Sequence, residues 1–239
     1  MNPLPADAVK SSDETAENEI RRRAASGSWS ITKAGLIWIL VFTILAMAIG
    51  LLSLVGVFST DGWGVAFLML GLILFVLPGY LLGMLIGVCM CCTAPYPNAK
   101  LRAGISAFFL LAALTIPIVG FAAKGAIGSG VYQGLVVGFQ MLVAICMIFW
   151  CLFHVAIGAL CQNPSLHKFA ILTMVVALAN LAISLLVMMT ILNKPAIQDR
   201  EFSQYSAIVI VSNVIFLGVN ASLCIKTRRL INQETTAVS

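Results

Sequence analysis

The sequence predicts an all-α integral membrane protein: a bundle of six transmembrane helices in three antiparallel helical hairpins, both termini cytoplasmic, preceded by a disordered tail. Three observations lead there. The 239 residues are 61% hydrophobic and 10% charged, with a mean hydropathy of +1.04, against about 45–50% and about 25% in ordinary soluble domains. The apolar residues fall into six runs, each near or above the roughly 20 needed to cross a bilayer. Lysine and arginine distribute unevenly between the two sides that six crossings define. One side carries Lys10, Arg21, Arg22, Arg23, Lys33, Lys100, Arg102, Lys168, Lys226, Arg228 and Arg229, the other only Lys124, Lys194 and Arg200. Eleven against three is a positive-inside bias that puts both termini in the cytoplasm of a plasma or inner membrane.

Residues 1–28 are polar and lack aromatics, so they bury too little apolar surface to offset ordering entropy and read as a disordered cytoplasmic tail. The first apolar run is too long for a cleaved signal and reads as a retained anchor. The spans are expected over about 34–58, 63–92, 103–122, 134–160, 169–192 and 203–225. Within those limits there is no Asp, Glu, Lys or Arg, as the cost of charge in hydrocarbon demands. The connections are short, which makes chain neighbours run antiparallel and leaves no room for a folded extramembrane domain. Residues 123–133 read either as a loop or as a broken helix, given their glycines and Pro117 upstream. Residues 230–239 read as a short cytoplasmic tail, completing a bundle that spans 29–229.

Two glycine rows stand at four-residue spacing, Gly79, Gly83 and Gly87 in span two and Gly130, Gly134 and Gly138 in span four. Four-residue spacing aligns them on one helix face. In lipid, where apolar burial gives no drive for helix association, such rows let backbones approach closely. Their expected role is helix packing, within the bundle or between copies.

Cysteine is the other conspicuous residue. Cys89, Cys92 and Cys161 lie near the cytoplasmic rim with His154 nearby in sequence terms, making them the candidate metal ligands. The spaced Cys/His pairs of zinc sites are absent, and thiolates would have to form near lipid. Cysteine as a small apolar packing residue is therefore the expected reading, with no metal or cofactor. Cys92-x-x-Pro95 and Cys161-x-x-Pro164 also hint at a repeated hairpin unit.

The notable polar groups inside the spans are Gln140, Asn180, Asn213, Asn220 and His154. Hydrogen bonding across helices is the commoner fate of such amides. The alternative is a polar cavity between spans five and six, lined by Asn180, Asn213, Asn220 and Gln140, serving a facilitator or channel for a small solute. Ion-coupled carriers place ionisable groups at the midplane, and no acid stands there. General acid–base chemistry would rest on His154 alone, so no enzyme is expected. Basic residues are too few and dispersed to track nucleic acid. The expectation is a non-catalytic scaffold, assembly or membrane-organising protein whose partners are the lipid bilayer, a second copy or another membrane protein.

Overall fold

The computed structural model describes residues 27–59, 77–122, 129–193 and 199–237. These form six helices: α1 (Ser30–Ser59), α2 (Leu77–Cys91), α3 (Pro97–Ala122), α4 (Ser129–Leu160), α5 (Pro164–Asn193) and α6 (Asp199–Ala237), with no strand among the described residues. Five are long and apolar enough to cross a membrane: all but α2, which is described over only 15 residues. By length and composition this is a multi-pass membrane protein. The expected tail lies outside the described residues up to position 26, as do residues 63–76 of the second expected span and 123–128 of the uncertain loop. Large apolar side chains face outward along every helix, with Leu186 69% exposed and Ile118 67% exposed. Water would not tolerate that surface, whereas lipid does.

Each helix packs against its neighbours in the chain, and α6 returns against α1 to close a ring. The contacts show how. Gly35 and Ile39 of α1 meet Gly87 of α2, and Phe42 meets Gly83. Arg102, Ser106 and Gly120 of α3 meet Leu152, Cys146 and Leu135 of α4. Met47 and Gly50 of α1 meet Gly218 and Val214 of α6. Across the ring, α4 touches α6 through Trp150 with Asn220 and His154 with Thr227.

The buried core gathers toward the end of the bundle that holds the 92–96 and 161–163 turns, with Leu36, Val88, Ala103, Trp150, Phe153, Ile157 and Leu223 enclosed there. The turns themselves are built differently. After α4, the amide of Asn163 donates to the carbonyl of Gly158 at 2.8 Å and Gln162 takes the left-handed conformation at φ 50°. This closes the helix in a Schellman arrangement, usually a glycine's place. Asn163 then accepts from the amide of Leu166 at 2.9 Å and caps α5, whose first residue is Pro164, where a missing N–H costs nothing. In the other turn it is Pro97 that opens α3, while Pro95 sits between the helices. The two Cys-x-x-Pro segments are thus not equivalent in structure.

Helix ends also depart from expectation. The helices run beyond the charge-free limits, so Lys100, Arg102 and Lys168 lie within the first two turns of helices rather than in loops. Residues 230–237, expected as tail, continue α6. Thr227, Leu230 and Ile231 share a face at i, i+3 and i+4 and are buried, while Arg228 and Arg229 are exposed. At 39 residues and about 1.5 Å per residue, α6 outruns the roughly 30 Å hydrocarbon layer. It projects at the turn end, near Cys161. Pro117 leaves α3 unbroken to Ala122, as membrane helices tolerate when neighbours satisfy the freed carbonyl.

Candidate functional site

Polar side chains join helices at three separate junctions. The deepest lies between α4 and α6. Trp150 and His154 are four residues apart on α4, and Asn220 and Thr227 seven apart on α6, so each pair lines one face. The indole Nε1 of Trp150 donates to Oδ1 of Asn220 at 3.1 Å. His154 Nδ1 shares a 2.7 Å hydrogen bond with Thr227 Oγ1. The imidazole stands edge-on to the Trp150 ring at 4.5 Å between centroids and to Phe153 at 5.2 Å, while Trp150 and Phe153 stack at 5.1 Å. His154, Asn220 and Thr227 are fully buried, and among the described residues His154 Nε2 and Asn220 Nδ2 have no hydrogen-bond partner.

The second junction joins α5 and α6. Asn180 Nδ2 donates to Asn213 Oδ1 at 3.1 Å, and Ser212 Oγ donates to Asn180 Oδ1 at 2.7 Å. Asn213 Nδ2 turns back to the carbonyl of Val209 at 3.0 Å. The three side chains therefore spend their donors and acceptors on one another and on the backbone. The third joins α3 and α4. Arg102 donates to the Leu152 carbonyl at 2.7 Å, and Ser106 Oγ lies 3.1 Å from the Cys146 carbonyl and 3.2 Å from its Sγ.

Of the expected cavity residues, Asn180 and Asn213 are therefore together, Asn220 belongs to the α4–α6 junction instead, and Gln140 is half-buried on α4. The candidate ligands Cys89, Cys92, Cys161 and His154 are not gathered into a set. Cys89 is exposed, Cys92 and Cys161 are half-buried, and His154 sits against Thr227. Among the described residues no three or more His, Cys, Asp or Glu side chains are placed to hold a metal. All seven cysteines are free thiols, with Cys91, Cys146, Cys151 and Cys224 buried in the core. Outside the spans, burial pushes the Cys161 thiol up to about 12, with a smaller contribution from the Glu234 carboxylate.

The glycine rows separate as well. Gly83 and Gly87 lie against Phe42 and Ile39, whereas among the described residues Gly79 and Gly134 meet nothing within 4 Å and Gly138 makes only an ordinary contact with Ile116 at 3.7 Å. The surroundings of Gly130 lie outside the described residues.

Trp150, Thr227, Ser212 and Gly35 were not singled out by sequence. The spacing of Trp150 from His154 is a usable signal for the first, since a polar pair four apart marks one helix face. Nothing comparable marks Gly35. Chemically, the His154–Thr227 pair has the composition of a base and a hydroxyl nucleophile, but both side chains are sealed in the core. The arrangement joins α4 to α6. No known family matches the chain, and neither a curated protein nor a solved structure shows significant similarity to it.

Proposed function

We propose that this chain is a non-catalytic membrane protein that serves as a scaffold in assembly or membrane organisation. In this reading it spans the bilayer six times as three antiparallel hairpins, with both termini cytoplasmic. The observation that carries the function is the pairing of polar side chains between helices: Trp150 with Asn220, His154 with Thr227, and Asn180 with Asn213 and Ser212. Each joins two helices, which is how polar groups act as glue in lipid. A conduit would instead turn them toward a shared lumen.

The order of contacts supports the hairpins. Position rises along one helix as it falls along the next for Gly35–Gly87 and Phe42–Gly83, for Arg102–Leu152 and Gly120–Leu135, and for Phe169–Lys226 and Asn180–Asn213. Trp150–Asn220 and His154–Thr227 rise together, as two even-numbered spans would. Lys33, Lys100, Arg102, Lys168, Lys226, Arg228 and Arg229 all belong to the turn end, which supports that end as cytoplasmic.

The half-buried Asn180–Asn213–Ser212 cluster favours one rival, a facilitator between α5 and α6. Reconstitution in liposomes separates the two. The scaffold reading expects no flux of small neutral solutes or monovalent ions above empty vesicles, and self-association or a stoichiometric partner in native mass spectrometry after mild extraction. Solute flux that disappears in Asn180→Leu and Asn213→Leu variants would overturn it.

A further inference from the structure

A groove of about 500 Å³ runs along the outer face of α3, beside the turn that follows α2. That volume falls within the roughly 300–1,000 Å³ of small-molecule sites. Lys100, Leu101, Gly104, Ile105 and Phe108 form one wall at helical spacing, and Cys92 stands at the turn end. The floor is notched at Gly104, where a side chain would meet nothing within 4 Å. Leu101 and Phe108 are 64% and 66% exposed on either side of that notch.

We propose that this groove binds one anionic phospholipid, its phosphate on the Lys100 ammonium and one acyl chain along Leu101, Gly104, Ile105 and Phe108. Three features select that occupant over a protein segment. The wall from Lys100 to Phe108 rises by eight residue steps, about 12 Å at 1.5 Å per residue, which matches most of the hydrocarbon depth of one leaflet, about half of 30 Å. The single charge in the lining is the exposed Lys100, and no acidic residue accompanies it. Arg102, on the same turn of α3 and tied to the Leu152 carbonyl, adds to the positive potential that draws a phosphate. The Cys92 thiol donates to the Val88 carbonyl at 3.4 Å, and the lipid of this proposal is held by contact and charge alone. The inference stands independently of the scaffold reading, because it concerns the lipid-facing side of α3 and none of the interhelical junctions.

The test uses the full chain in nanodiscs of equal phosphatidylglycerol and phosphatidylcholine with matched acyl chains, released for native mass spectrometry. The wild-type protein is expected to retain phosphatidylglycerol in preference. Lys100→Gln should cut that preference about fivefold, the effect of one basic residue at an anionic surface. Gly104→Leu should fill the notch and reduce retention of both lipids. Lys100 is exposed and contributes nothing to the core, so its variant decides the matter even if Gly104→Leu folds poorly. Equal retention of the two lipids by the wild type, or an unchanged preference in Lys100→Gln, would overturn the proposal. So would a hydroxylamine-sensitive acyl mass on Cys92, which would make a covalent chain the occupant.

Discussion

Gly35 and Gly87 meet backbone to backbone where α1 crosses α2. A methyl on Gly35 would stand 2.7 Å from the Gly87 carbonyl oxygen and 2.8 Å from Met90 Cβ, and one on Gly87 would stand 3.1 Å from the Gly35 carbonyl. Neither obstacle is the free end of a side chain, so the helices would have to separate. Close approach of this kind is what holds helices together in lipid, where apolar burial alone does not.

Gly35→Ala is therefore expected to destabilise the bundle by about 1–2 kcal/mol. Overpacking costs about 1–3 kcal/mol, and the better helix propensity of alanine returns up to about 1 kcal/mol. Gly79→Ala and Gly134→Ala, which meet open space, should be neutral or slightly stabilising. Unfolding in matched detergent micelles checks this, and equal midpoints for Gly35→Ala and Gly79→Ala would contradict it.

Trp150 and Asn220 should behave as a coupled pair. Trp150→Phe keeps the stacked ring beside Phe153 but removes the donor, and Asn220→Leu removes the acceptor. A double-mutant cycle is expected to return a coupling of about 0.6–1.7 kcal/mol, the range for interhelical hydrogen bonds in membranes. Strict additivity would show that the contact contributes nothing.

Cys161 should resist thiol reagents at neutral pH. Its thiol is pushed up to about 12 by burial and then by the Glu234 charge, and both effects oppose the nucleophilic thiolate. Maleimide labelling of a variant retaining only this cysteine should rise about tenfold per pH unit above neutrality, following the thiolate fraction. Glu234→Gln removes the opposing charge and should speed labelling at fixed pH. The same sign makes the thiol's contribution to stability full at neutral pH and lost as pH rises from the ordinary thiol range toward about 12. Labelling at pH 8 as fast as an unstructured cysteine peptide would refute the assignment.

The proposed weave makes a direct claim about compartments. Reporter domains inserted after Ser59 and after Lys100 should report opposite sides of the membrane, and one fused after Ser239 should share the side of Lys100. Agreement between the first two would sink the hairpin topology.

Much of the helical architecture was legible because hydrocarbon imposes a simple code. A residue run either supplies enough apolar length or it does not, and five helices of sufficient length and hydropathy appear where that code placed them. The ends were harder. Hydropathy stops α6 at Lys226, yet the helix continues because Thr227, Leu230 and Ile231 find a buried face under the bundle. The two Cys-x-x-Pro segments looked alike, but the choice of Pro97 or Pro164 as the first helical residue depends on how each turn closes.

Composition and periodicity by themselves determined that this chain belongs in lipid, that its spans lack charge, and that basic residues gather toward one end. Each of those follows from transfer energies that a residue carries wherever it sits. The tertiary structure alone decided that Gly35 faces Gly87 while Gly134 faces open space, and that Asn220 belongs to Trp150 rather than to Asn180 and Asn213. Such pairings depend on which faces of two helices meet. That relation exists only once both helices are packed, because neither sequence segment encodes the rotation of the other.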